Sequence, residues 1–383
     1  MPLNSTNLYL LAGEASGDLH GANLVRALGQ LRPTWQYRAF GGAQLAAAGA
    51  SISVDNRTTD YFGFVEVVRH LPTILGLFKR IKADIRAHRP AALVCIDYPG
   101  FNLRMARWAH AQGIPVVYYI LPQVWAWKPG RLAQLRDYVG LRLPILPFEV
   151  EFYRSRGVST TFPGHPLLDA LAPVLATPNT LPAELGLPEG GYLAVLPGSR
   201  KNEVARMLPV LLEAARPLLD RYPAVIAQAP QRQAADFAPI LAQLGLSAQQ
   251  VRLVQHRTYD VVRGARAALV CSGTATLETA LLGTPQLLGY RVNALSYRIA
   301  RALIKGIDYI GLPNLILGRM AVREYIQEAC TPQALRTELE ALVDDGARRE
   351  AQLADYAALR AALGGPGASE RAAEAIVRFL EQA

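Results

Sequence analysis

The chain has 383 residues, 51% of them hydrophobic and 19% charged, with a formal net charge of +9. At roughly 150 residues per domain, that length and composition imply two or three domains with full cores and exclude a disordered tail. Cys95, Cys271 and Cys330 lie far apart, and the histidines form no HxxxH or Cys/His cluster, so a reducing compartment and no metal site are expected.

The basic surplus suits polyanionic partners: nucleic acid, an anionic membrane face or phosphorylated substrates. No basic–aromatic nucleic-acid motif is present, so nucleic acid is the weakest of these. The start of the chain lacks a basic region, Leu8–Ala12 is too short for a signal peptide, and no run approaches the roughly 18 apolar residues of a membrane span. A cytoplasmic-type protein that sits on a membrane without crossing it is the expectation.

In chain order, apolar strands are expected at Leu8–Ala12, Leu93–Ile96, Val116–Ile120 and Leu141–Leu146, each running through a Gly- or Pro-rich turn into a helix. The first strand ends in Ala12-Gly13-Glu14-Ala15-Ser16-Gly17-Asp18. Ligands of open α/β sheets bind at the carboxyl ends of strands, where this loop lies. Ser16 and Asp18 can cap a helix beginning near Leu19, whereas Glu14 has no evident structural task. The segment Tyr61–Arg89 puts aromatic and aliphatic residues before a helix bearing Lys79, Arg80, Lys82, Arg86 and Arg89. That pattern fits an interfacial membrane helix or an ordinary amphipathic helix with a solvated basic face. The second strand ends in Asp97-Tyr98-Pro99-Gly100-Phe101-Asn102, where Asp97 is a candidate general base and Asn102 a candidate cap. Trp125 and Trp127 either line a lipid or sugar pocket or cover the sheet edge.

A proline-rich stretch, Ala170–Leu187, reads as a linker. Strands are then expected at Leu193–Leu196, Val225–Ala229, Val251–Val254, Ala268–Cys271 and Gln286–Tyr290, with helices after Arg200, Gln233, Thr258, Thr274 and Asn293. Gly198, Ser199 and Arg200 offer backbone N–H groups at a helix N-terminus plus a forked cation, an anion site suited to phosphate. Ser272, Gly273 and Thr274 open a second helix in the same way, and Glu278 one turn on can accept from ribose hydroxyls. Two phosphate-type loops in one domain suit a nucleotide diphosphate. There is no GxxxxGK[ST], GxGxxG or Asp-x-Asp motif, so P-loop, dinucleotide and metal–diphosphate chemistry are not expected. Two closing helices, broken at Gly364–Gly367, end the chain.

The segments Ala12–Asp18, Ile96–Asn102, Trp125–Trp127, Pro147–Tyr153, Gly164–Pro166, Leu196–Arg200, Ser272–Glu278, Leu282–Pro285 and Leu312–Gly318 together resemble the lipid-A-disaccharide synthase family, in family order. The resemblance implies a GT-B fold: two doubly wound Rossmann-like domains facing a cleft, with closing helices returning to the N-domain. The implied organisation is an acceptor and membrane-associated domain at 1–172, a UDP-sugar domain at 186–345 and closing helices at 346–383. It implies an inverting, cofactor-free and metal-independent transferase, peripheral on the inner face of the cytoplasmic membrane. Such an enzyme moves 2,3-diacylglucosamine from UDP-2,3-diacylglucosamine to the 6-hydroxyl of 2,3-diacylglucosamine 1-phosphate (lipid X), giving a β-1,6 disaccharide and UDP. By the same resemblance Arg200, Ser272, Gly273, Thr274, Glu278, Asn314 and Gln327 hold UDP, beside the anion-site amides already read at Gly198 and Ser199. Ser16, Asn102 and Trp125 lie on the acceptor side, with Asp97 or Glu14 as base, and a homodimer is compatible. Many members carry a second aspartate, IDxPDFN, where this chain has Gly100. The alternatives are another GT-B UDP-sugar enzyme, an epimerase or a different lipid glycosyltransferase, or a membrane-binding relative without catalysis.

Overall fold

A computed structural model describes residues 7–56, 71–126, 130–188, 190–271, 273–293, 297–298 and 308–382. The chain divides into two units, residues 1–170 with 363–383, and residues 171–362. In the first, β1 (Asn7–Leu11), β2 (Gln36–Gly41), β3 (Ser51–Asp55), β4 (Ala92–Ile96), β5 (Val116–Tyr119) and β6 (Leu141–Leu143) form a sheet in the order β3-β2-β1-β4-β5-β6. In the second, β7 (Leu193–Leu196), β8 (Ala224–Gln228), β9 (Val251–Gln255), β10 (Ala267–Val270), β11 (Gln286–Tyr290) and β12 (Glu324–Ile326) follow β12-β11-β10-β7-β8-β9. Every pairing is parallel. Each sheet is the doubly wound order 3-2-1-4-5-6, which reverses direction between its first and fourth strands.

The apolar runs follow from burial on both faces of each sheet. Along β1, Leu8 and Leu10 enter one core with Leu24 and Leu28, while Tyr9 and Leu11 enter the other with Phe78, Ile81 and Phe101. The second sheet buries Leu193, Val195 and Leu269 against Met207, Leu208, Leu211 and Leu339. All three cysteines are free and buried.

Three expectations about elements are corrected. Residues 170–187 are not plain linker: helices occupy Leu167–Ala176 and Leu181–Glu184. Arg263 donates to the carbonyls of Val174, Thr177 and Pro178, and Asn179 donates to that of Asp260 at 2.9 Å, so this stretch is bound to the second unit. Of the closing helices, Ala347–Ala362 stays in the second unit, where Gln352 brackets the backbone of Gln286 at 2.6 and 2.9 Å. Only Ala368–Gln382 belongs to the first unit, and its Ile376 and Leu380 join the core beneath Ala15–Leu31. Its N-terminus is capped by Asp169, which accepts from the amides of Gly367 (2.6 Å) and Ser369 (2.7 Å). Finally, β2, β3 and β12 lie outside the expected strand list. The helix expected after Asn293 falls largely outside the described residues, as does Tyr61–His70.

Candidate active site

The four loops that carry the sequence motifs follow β1, β4, β7 and β10, the strands that flank the two switch points. That is where an open α/β sheet leaves a crevice at its carboxyl ends.

In the first unit, Glu14 is the exposed N-cap residue of the helix Ala15–Leu31, which starts a turn earlier than Leu19. Ser16 is exposed in that first turn. Asp18 does not cap this helix. It is buried and reaches across to accept from the amides of Gly42 (2.7 Å), Gln44 (2.9 Å) and Leu45 (3.2 Å), capping the short helix Ala43–Ala47 instead. Gly13 is required by space, since a β-carbon there would lie 2.3 Å from the Tyr98 ring.

Asp97 and Tyr98 both take left-handed backbone angles, each with φ of 46°. Two such non-glycine residues in a row store strain that surrounding bonds must hold. The Asp97 carbonyl accepts from Asn102 Nδ2 and from the Tyr118 hydroxyl, both at 2.8 Å. Asn102 also donates to the carbonyls of Ile96 (3.1 Å) and Leu11 (3.2 Å), tying β1 to β4. It is fully buried, so the expectation that it is a cap or faces the acceptor is corrected: it is a staple beneath Asp97, in a helix that begins at Pro99. Burial, reinforced by the negative charge of Glu14, pushes the Asp97 carboxyl up to about 6, against a bond from the Tyr98 amide that lowers it. Gly100 is exposed, with nothing within 4 Å of where its β-carbon would stand.

The carboxylate missed by sequence reasoning is Glu149. It is 1% exposed and accepts from Trp125 Nε1 at 3.0 Å and from the amides of Leu146 (3.1 Å) and Ile145 (3.3 Å). Burial raises its pKa to about 7, and the charge of Asp97 adds to that rise. The signal was a glutamate three residues past Leu146, the N3 place of a capping box, which reads as local structure alone. Trp127 lies outside the described residues.

In the second unit the loop after β7 is filled differently from the expectation. Glu203 accepts from the amides of Ser199 and Arg200, both at 3.2 Å, so the N–H groups assigned to phosphate hold an internal carboxylate. Gly198, at φ of 106°, makes room for it, since a β-carbon there would stand 2.7 Å from the Glu203 carboxylate. The Arg200 side chain is 81% exposed, with a single long contact of 3.4 Å, to Glu203, among the described residues, and is available to an anion. Gly273 and Thr274 are exposed at the start of the helix Thr274–Leu281; Ser272 lies outside the described residues. Glu278 accepts from the Tyr259 hydroxyl at 2.8 Å, and burial raises its pKa against that bond.

Asn314 is corrected as a direct ligand. Asn314 is fully buried and bonds Val322 on both its amide atoms (2.7 and 2.8 Å) and Glu324 at 2.7 Å, leaving no donor for a nucleotide. Glu324 in turn accepts from the amides of Ile310 and Gly311, both at 2.9 Å, so this pair shapes the turn before the helix Leu312–Leu317. Gln327 is buried in a left-handed conformation and its Oε1 accepts from the Val292 amide at 3.3 Å, tying the ends of β11 and β12, while its buried Nε2 has no partner among the described residues and stays open to a ligand. Among the described residues no cluster of His, Cys, Asp or Glu is arranged to hold a metal ion.

Two doubly wound parallel sheets with exposed polar loops at each switch point define a two-domain α/β protein of the GT-B class. The fold is similar to that of UDP-GlcNAc 2-epimerase from Neisseria meningitidis bound to UDP-GlcNAc, with a TM-score of 0.69 at 14% identity over 97% of this chain and 100% of that one. It is also similar to the glycotransferase of kitacinnamycin, with a TM-score of 0.64 at 16% identity over 98% and 100%. At the level of sequence, residues 8–379 match the family model for lipid-A-disaccharide synthetase. The lipid-A-disaccharide synthase of Syntrophus aciditrophicus (strain SB) is 43% identical over 382 residues, 99% of each chain. That of Geobacter metallireducens (strain ATCC 53774 / DSM 7210 / GS-15) is 39% identical over 377 residues, 97% of each. The chain belongs to the lipid-A-disaccharide synthase family, glycosyltransferases that make the lipid A disaccharide.

Proposed function

We propose that the chain transfers 2,3-diacylglucosamine from UDP-2,3-diacylglucosamine to the 6-hydroxyl of lipid X by one in-line displacement. The acceptor oxygen bonds to the anomeric carbon as the bond from that carbon to the diphosphate breaks, giving a β-1,6 linkage and UDP. Asp97 takes the hydroxyl proton. The observation that carries this role is a strained, half-buried carboxylate at the switch point whose pKa is lifted to about 6. A base tuned so close to neutrality is ionised yet still basic. Glu14, beside it, holds that pKa up. Arg200 and the helix start at Gly273–Thr274 meet charge growing on the diphosphate.

The test is UDP release by purified protein in detergent, with UDP-2,3-diacylglucosamine, with and without lipid X. Acceptor-dependent release with disaccharide product is expected. Release without acceptor, or interconverted sugar in place of disaccharide, would overturn the reading in favour of hydrolysis or epimerisation.

Attachment to the anionic inner face of the cytoplasmic membrane belongs to the same proposal. No described helix is long and apolar enough to cross a membrane. On Leu71–His88, Phe78, Ile81 and Ile85 enter the core, while Leu75, Lys79, Arg80 and Arg86 are exposed. Salt-sensitive sedimentation with anionic vesicles, and none with neutral ones, is the expected result. Equal behaviour with both would remove the electrostatic basis.

A further inference from the structure

We propose that Glu149 is a positioning residue of this reaction: a buried carboxylate that holds the Trp125 indole at the acceptor side of the first unit. The proposal rests on the acceptor reading given above. A buried carboxylate needs bonds to compensate its desolvation, and a capping box supplies only part of them. The two oxygens of Glu149 are divided between tasks. Oε2 accepts from the Leu146 and Ile145 amides, closing the start of the helix Pro147–Arg154, and Oε1 accepts from Trp125 Nε1. Phe148, its neighbour, meets the indole edge-on at 4.9 Å between ring centres, so the ring is fixed in direction and in plane. Tyr153, one turn on, donates to the Pro122 carbonyl at 3.1 Å and secures the other end of the same loop. A plain cap would need neither the indole nor the tyrosine.

The same group is linked to the base. Asp97 raises the pKa of Glu149, Glu14 raises that of Asp97, and Tyr118 feels both Asp97 and the opposing charge of Arg131. Tyr153 is the other titratable neighbour of Glu149. The ionised Asp97 therefore acts on Glu149 across the end of the sheet.

Glu149→Gln has one acceptor oxygen in place of two, so its amide group must face either the indole N–H or the backbone donors. Trp125→Phe keeps a ring but deletes the bond from the other side, at a half-buried position that tolerates the change. Each variant is expected to lose roughly 10- to 100-fold in kcat/KM for lipid X, with KM for the UDP-sugar unchanged. The double variant is expected to be no worse than the weaker single one, because both remove one contact. In Glu149→Gln the acid limb set by Asp97 is expected to stay near pH 6, since Glu149 is still protonated where Asp97 titrates. Additive losses, or a wild-type acceptor KM in either variant, would overturn the proposal.

A measurement that needs no turnover separates this failure from failure of the functional reading. In protein labelled with 15N-tryptophan, the indole N–H resonance lost in Trp125→Phe is expected to titrate near pH 7 in wild type and not in Glu149→Gln. An indole resonance at the same position in wild type and Glu149→Gln means that Glu149 does not hold the indole, whatever reaction the protein performs.

Discussion

Asp97 and Tyr98 occupy a backbone region that bulky residues avoid, and three fixed contacts hold them there: Asn102, Tyr118 and the ring of Tyr98 over Gly13. The strain turns the carboxylate at the strand end while burial tunes it, so kcat/KM is expected to fall below pH about 6, where Asp97 gains its proton. Asp97→Asn keeps the left-handed backbone, which asparagine accepts, and is expected to lose turnover by 100-fold or more, on the order of a lost general base, with thermal stability at neutral pH no lower than wild type, since an ionised carboxyl whose pKa is raised by burial is removed. Retained turnover would move the base to Glu14. Gly100 is open at the second position of the helix Pro99–Ala111, so Gly100→Asp is expected to fold and to gain about 0.5 kcal/mol from the helix dipole and reduced chain entropy. The added charge raises the Asp97 pKa further, moving the acid limb upward; an unmoved limb would show that the family aspartate position does not sense the base. Arg200→Ala, at a side chain 81% exposed, is expected to cost turnover and no measurable stability in urea unfolding.

Elements at the switch points were legible because their strands are central. Leu8–Leu11 and Leu93–Ile96 are buried on both faces and read as unbroken apolar runs, and the motif loops necessarily follow them. The strands that escaped the sequence are peripheral and mixed. Gln36–Gly41 carries Arg38, whose bidentate pair with Asp84 at 2.7 and 2.8 Å satisfies a charge that pattern reading takes as loop. Glu324–Ile326 is a sheet edge beginning in a carboxylate committed to two backbone amides. Site residues divide by the same logic. Exposed Arg200 could be read from its motif, whereas Asn102 and Asn314 look like ligands in sequence but serve carbonyls and amides beneath the loops. Glu149 was hidden because capping and indole binding use the same residue type. The closing helix was legible in composition, but its separation from Ala347–Ala362 depends on Asp169, about 200 residues away in sequence at its capping bonds. Asp169→Ala is expected to lower the stability of the first unit by about 1–2 kcal/mol, and an unchanged urea midpoint would show that the helix docks through its apolar face alone.

Across the molecule, buried titratable groups with large opposed shifts gather in the first unit. His20 is lowered to about 4 and His165 to about 3 by burial, while Asp97 and Glu149 are raised to about 6 and about 7. The signs are opposite. A histidine depressed below its unfolded value near 6.5 contributes stability that is lost as pH falls through that value toward the folded one. A carboxyl raised above its unfolded value near 4 binds a proton more readily when folded, so its unit gains stability over the same fall in pH. Each pKa unit is worth about 1.4 kcal/mol, and the two pairs of shifts are similar in size, so they offset one another between pH about 6.5 and about 4.5. Below pH about 4 the carboxyls are protonated in both states, His20 has taken its proton, and His165 alone continues to cost stability. The first unit is thus expected to hold a nearly level urea midpoint from pH 7 to about 4.5 and to weaken only below. Its four tryptophans, Trp35, Trp108, Trp125 and Trp127, all precede residue 170, so indole fluorescence reports this unit and not the other. In Asp97→Asn/Glu149→Gln the carboxyl gain is gone and the histidine loss is bare. That variant should fall steadily below pH 6.5, by several kcal/mol at pH 4.5 on the same scale. A variant whose midpoint tracks wild type throughout would mean that the shifted histidines and carboxyls do not govern the acid stability of the fold.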